Sequence, residues 1–260
     1  MPIYSTLNLC FTPQKRMDAA PQIQCNDLSR SWKTPGGRHE AFRALDLVVR
    51  PGDYLSIQGP SGAGKSTLLR ILGGLDRQYQ GELRLFGQDV RTLSDAKLSR
   101  LRNEKIAFVF QAYQLLPHLR VEENILLPFT WRKKPPTLAV QKQRVTELLR
   151  ALGIEDKRDA FPDTLSGGQQ QRVAIARALV MQPELLLCDE ITGNLDAVHA
   201  ADVMTLLEGY RAESGCSILI VSHDPTILQR AEQRFLLRDG ALVSQPTRER
   251  TDNSDSGVSE

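Results

Sequence analysis

No run of apolar residues in this 260-residue chain approaches the roughly 20 that a bilayer-spanning helix needs. The N-terminus carries no charged-then-apolar leader. A chain without either is expected to stay in the cytoplasm. Cysteine is sparse, at Cys10, Cys25, Cys188 and Cys216. None forms a CxxC pair, so neither a zinc site nor a disulfide framework is indicated. Cys188 lies in an apolar run and reads as a small buried hydrophobe. Excess charge is missing too. Against 33 basic residues stand 31 acidic ones, a net charge of +2. That balance gives no electrostatic argument for a nucleic-acid partner, and none is expected. No heptad array marks a long coiled-coil arm.

What is present is ordinary globular composition, 41% apolar and 25% charged, enough to bury a core. The length suits one large α/β domain with a smaller lobe, and would also admit two domains. Residues 1–20 show no period and read as a flexible arm, with Met17 an alternative start. From Ile23 to Ile57 three strands are expected, IQCNDLSRSW, ALDLVV and DYLSIQ. Turns at Pro35-Gly36-Gly37 and Pro51-Gly52-Asp53 separate them, giving an antiparallel β lobe that leads into a core strand. Next come a helix from Ser66 to the breakers Gly73-Gly74, then strands ELRLFG and KIAFVFQ. A mostly helical lobe follows over about 112–165, where Val145, Leu148, Leu149 and Leu152 share one helix face. A helix over about 168–181, the strand ELLLCDE, a helix over about 197–213 and the strand SILIVSH complete the pattern. Apolar strands alternating with helices predict an α/β fold with a mostly parallel core sheet covered on both faces. Residues 21–245 form the expected domain, and the polar stretch 246–260 reads as a disordered tail.

Two stretches carry chemistry. Gly59-Pro60-Ser61-Gly62-Ala63-Gly64-Lys65-Ser66-Thr67 fits G-x-x-x-x-G-K-[ST] between a strand and a helix. Glycines let backbone N–H groups close around phosphates, and the helix N-terminus adds partial positive charge. Lys65 supplies a full charge to the β and γ phosphates of ATP, and the Ser66 hydroxyl suits Mg²⁺. Further on, the apolar strand Leu185-Leu186-Leu187-Cys188 ends in Asp189-Glu190. Carboxylates at the C-terminal end of a parallel strand face the ligand crevice. Asp189 is the expected Mg²⁺ ligand and Glu190 the candidate for polarising an attacking water.

Leu165-Ser166-Gly167-Gly168-Gln169, continuing Gln170-Gln171-Arg172, stands before a helix and about twenty residues ahead of Asp189-Glu190. In this order the motifs resemble the ABC ATPase family, over about Ile23 to Ser244. That resemblance implies further roles. Gln111 matches the Q-loop glutamine that touches Mg²⁺. Asn194-Leu195-Asp196 matches the D-loop, with Asp196 crossing to a second subunit. His223 matches the switch histidine at the γ-phosphate. Trp32 stands where the family keeps an aromatic that stacks on adenine, although burial in the core remains an alternative for it. Ser166, Gly167, Gly168 and Gln169 form a second phosphate cradle, which in the family closes on the ATP of a twin chain. A homodimer driving an integral membrane permease at the cytoplasmic face of the inner membrane is therefore implied.

FQAYQLLPHLRVEEN and LSGGQQQRVAIARAL are similar to the macrolide-exporter and lipoprotein-release group. Tyr113, Leu115, Leu116 and Leu119 are candidates for gripping the permease. The basic loop Trp131-Arg132-Lys133-Lys134-Pro135-Pro136 reads as solvated. Ile191 departs from the proline usual after Asp-Glu, and a looser turn around Glu190 is expected. A soluble ABC ATPase outside transport, and a nucleotide-dependent regulator with little hydrolysis, are the alternatives.

Overall fold

A computed structural model describes residues 20–34, 37–193, 195 and 197–246. The proposed arm over 1–19, the tail over 247–260, Asn194 and Asp196 lie outside the described residues. Strands β1 (Ile23–Thr34), β2 (Gly37–Val49), β4 (Gln80–Leu85) and β5 (Gln88–Asp89) make an antiparallel sheet in the order β2-β1-β4-β5. The second sheet has the order β10-β9-β3-β8-β7-β6. Its members are β3 (Tyr54–Gln58), β6 (Ile106–Val109), β7 (Leu185–Asp189), β8 (Ser217–Val221), β9 (Gln233–Arg238) and β10 (Ala241–Gln245). All neighbours pair in parallel except β10 with β9. The mixed α/β architecture expected from the alternating pattern is present.

The core sheet separates two apolar clusters by the two-residue period of a strand. Leu186, Cys188, Ile218 and Ile220 face one cluster, with α5 (Gly167–Leu179) and α6 (Ala197–Ser214). Leu185, Leu187, Leu219 and Val221 face the other, with α1 (Lys65–Leu72) and the β lobe. Burial on both faces is why these strands read as unbroken apolar runs. Cys188 is fully buried, and that burial pushes its thiol well above the usual range.

Helix α2 (Asp95–Lys105) stands between ELRLFG and KIAFVFQ, where the sequence reading assigns no helix. It buries only Leu98 and Leu101, too few for an apolar stripe to register. Its surest signal is Ser94, whose hydroxyl caps it by accepting from Lys97 N–H at 3.4 Å. Between α2 and α5 lie α3 (Val121–Leu126), α4 (Leu138–Ala151) and short 3-10 turns. Val145, Leu148, Leu149 and Leu152 are all buried along one face, as their spacing predicts. The short α7 (Pro225–Leu228) precedes β9.

Candidate functional site

Parallel pairing puts the C-terminal ends of β3, β8, β7 and β6 along one edge of the sheet. The phosphate loop follows β3, His223 follows β8, Glu190 follows β7 and Gln111 follows β6. Residues far apart in the chain are thereby brought together.

The loop after β3 is shaped by its glycines. A Cβ on Gly59 would stand 2.5 Å from the Leu237 carbonyl oxygen, so no side chain fits there. Gly64 caps α1 at φ +90°, a conformation that strains any other residue. No side chain caps α1, so the first-turn N–H groups at Lys65, Ser66 and Thr67 are held open to an anion. Lys65 is buried and donates to the carbonyl oxygens of Gly59 at 2.8 Å and Pro60 at 3.0 Å. Pro60 also accepts from Ala63 N–H at 3.2 Å.

Ser66 Oγ–H donates to Asp189 Oδ1 at 2.9 Å. Asp189 is 7% exposed, and burial, with Glu190 next to it, raises its carboxyl above the usual carboxylate range. The Ser66 bond and the charges of Arg70 and Lys65 oppose that rise. A hydroxyl and a buried carboxylate make a hard oxygen pair. Mg²⁺ is typically held by one or two carboxylates and completes its shell with phosphate oxygens and water, so these residues fit it.

Glu190 lies 3.9 Å from Lys65 Nζ and 2.7 Å from His223 Nδ1. Its φ of +50° is left-handed, which costs a non-glycine residue about 1–3 kcal/mol and persists only where its surroundings impose it. They do so here. Glu190 N–H donates to the Val221 carbonyl at 3.0 Å, and Gly193 N–H donates to the Glu190 carbonyl at 3.2 Å. Ile191 is 2% exposed within the larger core cluster. Burying such a side chain contributes roughly 2 kcal/mol. A proline's restriction of the unfolded chain contributes only about 0.4–1 kcal/mol. Ile191 thus anchors the turn through its buried side chain, where a proline would restrict it through its ring. Gln111 Nε2 comes 3.5 Å from where a Cβ on Gly193 would stand, so it reaches the same turn.

Trp32 is not a core residue. It is 37% exposed on β1, tilted against His39 at 4.9 Å between ring centroids, with the Arg30 guanidinium 5.7 Å away. His39 lies two residues before Ala41, whose carbonyl would sit 3.2 Å from a Cβ on Gly64. β2 thus passes beside the phosphate loop at Ala41 and carries, two residues earlier, the histidine that Trp32 tilts against.

At the start of α5, Ser166 and Gln169 form a reciprocal cap. Gln169 N–H donates to Ser166 Oγ at 3.3 Å, and Ser166 N–H donates to Gln169 Oε1 at 3.0 Å. The Ser166 hydroxyl accepts here, so its own proton stays available to an acceptor. Ser166, Gly168 and Gln169 line a cavity of about 350 Å³ with Arg172, Leu195 and His199. No residue of the phosphate loop lines it, so the two cradles are separate places in one chain.

One functional residue escaped the sequence reading. Tyr113 and Gln114, after Gln111, are both left-handed at φ +54° and +52°. Arg177 of α5 donates to both their carbonyls, at 2.7 Å and 2.6 Å. Hydrogen bonds from a charged donor contribute about 1.5–3 kcal/mol each, enough to offset the strain of the two residues. Burial lowers the Arg177 pKa from its ordinary value. An arginine at helix spacing carries no local mark of such a partner.

The family described as ABC transporter matches residues 42–193. This chain belongs to the ABC transporter family, as an ATPase cassette. A macrolide export ATP-binding/permease protein MacB from Shigella flexneri is 41% identical over 229 residues, 87% of this chain and 34% of that protein. A MacB from Syntrophobacter fumaroxidans is 40% identical over 220 residues, 85% of this chain and 31% of its own length. The chain thus spans about a third of these curated relatives. Among solved structures, the dimeric bacterial ABC transporter cassette MJ0796 superposes with a TM-score of 0.82 at 34% identity. The match covers 87% of this chain and 99% of that one. A dimeric post-hydrolysis state of MJ0796 bound to ADP and Pi matches equally well.

Proposed function

We propose that this cassette binds Mg²⁺-ATP at the phosphate loop, closes head to tail on a second copy, hydrolyses the γ-phosphate bond and so drives a membrane-embedded partner. The observation that carries this reading is the convergence at one sheet edge of Lys65, the Ser66–Asp189 pair and the Glu190–His223 pair. Lys65 and the α1 first turn hold the β and γ phosphates, while Trp32 offers a face to the adenine. Ser66 and Asp189, with Gln111 beside the same turn, would hold Mg²⁺, which neutralises charge on the phosphate oxygens when bound. Glu190 orients a water and takes its proton as the new P–O bond forms and the β–γ bridging bond breaks, with ADP departing. His223, its side chain 70% exposed, holds the Glu190 carboxylate through Nδ1 and is placed to meet the γ-phosphate. The Ser166 cradle completes the pocket of the partner copy, and Asp196 would cross at the same seam.

Phosphate release by Glu190→Gln is expected to fall by about 10²–10⁴, the usual contribution of a general base. Gel filtration of this variant in ATP should show a stable dimer. Equal rates in wild type and variant would remove Glu190 from its role.

The membrane partner fits an apolar groove of about 390 Å³ lined by Phe108, Leu116, Leu127, Pro128, Trp131 and Met181. Trp131 is 70% exposed there, at the head of the basic loop. Of the four residues read as gripping the permease, Leu116 lines the groove. Leu115 packs against the core, Tyr113 turns its hydroxyl toward Gly167, and the Leu119 carbonyl accepts from the buried Asn124 at 2.9 Å. The likeness to MacB supports an export-type partner at the inner membrane, with the cassette on its cytoplasmic side. Leu116→Asp should abolish co-purification with the membrane partner while ATP affinity holds within about twofold. Undiminished co-purification would move the docking surface elsewhere.

A further inference from the structure

Arg177 touches three parts of the molecule that the proposed function treats separately. It lies on α5, which begins at the Ser166 cradle. Its guanidinium fixes the carbonyls of Tyr113 and Gln114, two and three residues beyond Gln111. It also lines the apolar groove together with Gln114 and Trp131. The segment after Gln111 also comes close to the start of α5. A Cβ on Gly167 would stand 3.1 Å from the Tyr113 hydroxyl. Gly167 and Arg177 are ten positions apart, roughly 15 Å along a helix. A hydrogen-bonded bridge at one end and a close approach at the other set the direction of the segment along the helix as well as its position.

We propose that Arg177 is a positioning residue that makes the Gln111 segment, the signature helix α5 and the wall of the groove move as one body, so that nucleotide arriving at Gln111 is felt both at Ser166 and at Trp131. Arginine suits this task because one planar guanidinium satisfies two adjacent carbonyls at once, whereas an ammonium is a point donor on a flexible stem. Without the bridge, Tyr113 and Gln114 are free to leave their left-handed conformation, and a displacement of Gln111 is absorbed in the loop instead of being passed to α5. Coupling of this kind requires an element that both sites bias, and the bridged pair of carbonyls supplies one. The proposal rests on the reading of the phosphate loop as the ATP site.

The protein contains two tryptophans, Trp32 and Trp131. In Trp32→Phe the emission comes from the groove alone. Mg²⁺-ATP titrated into this variant is expected to shift Trp131 emission. In Trp32→Phe/Arg177→Met, ATP should bind with a dissociation constant within about twofold of that of Trp32→Phe, most of the shift should be lost, and ATP-dependent dimerisation in a Glu190→Gln background should disappear. Arg177→Lys, which reaches one carbonyl, should restore part of the shift; this variant also carries the test if the methionine variant fails to fold. An undiminished shift and dimer in either Arg177 variant overturns the strut. No ATP binding in the unsubstituted chain would overturn the functional reading itself, an outcome that the separate binding measurement distinguishes.

Discussion

Helices α1 and α5 are both capped by small residues, and both are read as meeting phosphate, yet their ends are built differently. At α1 the cap is Gly64, which offers no side chain, and the first-turn N–H groups are left for an anion. At α5 the cap is Ser166, which takes the Gln169 N–H while Gln169 takes the Ser166 N–H, so part of the helix end is satisfied from within the chain. A glycine cap costs only a few tenths of a kcal/mol relative to a serine cap, so the two ends differ less in helix stability than in how many first-turn N–H groups they leave for an anion. The lesson is one of order. On the proposed function, nucleotide is held by α1 first, and α5 joins only when a second chain brings a phosphate already bound. Its remaining donors are the Ser166 hydroxyl proton and the Gly167 and Gly168 N–H groups, which the cap does not use.

The comparison is tested most severely by one pair of variants. Lys65→Ala removes the single full positive charge of the phosphate loop and should weaken ATP binding by about a hundredfold, the scale of losing charge-assisted bonds in a sheltered site. Ser166→Ala should leave monomer affinity within about twofold, measured by a fluorescent nucleotide, while abolishing the ATP-dependent dimer. Comparable losses of affinity in the two variants would show that both cradles hold the first nucleotide, and the order above would fail. The smallest effect sharpens the α1 side. Asp189 has its carboxyl raised by burial, so its charged form is disfavoured in the folded state at neutral pH. That penalty is present above the raised value and vanishes once pH falls below the ordinary carboxylate range, about 4. Asp189→Asn keeps an acceptor for Ser66 and removes the charge. Without nucleotide its melting temperature should exceed wild type by a few degrees at pH 7, with the advantage shrinking toward pH 4 while Mg²⁺-dependent turnover is lost. Equal melting at pH 7 would mean the carboxylate is not penalised by its burial.

Much of this molecule is legible in one dimension. The strand IAFVF and the apolar runs before Asp189 and His223 announce strands buried on both faces, because their neighbours on each side are helices. The face carrying Val145, Leu148, Leu149 and Leu152 is a helix stripe visible at once. Helix α2 is not, since two buried leucines make too thin a stripe, and β9 and β10 pass unremarked because most of their residues are only partly buried or exposed. Ile191 is a related case. Its departure from proline is visible in the sequence, while the core beneath it that anchors the turn is not.

The amino-acid order by itself determined which chemical groups the chain owns and which local shapes carry them. A glycine-rich turn before a helix, and two carboxylates after an apolar strand, express preferences of a few neighbouring residues. Only the tertiary structure decided their company: Ser66 beside Asp189 across 123 positions, Glu190 beside His223 across 33, and Arg177 on the Tyr113 carbonyl across 64. Such pairings follow from the order of strands in the sheet and from backbone strain imposed by packing, which arise only when distant segments share one core.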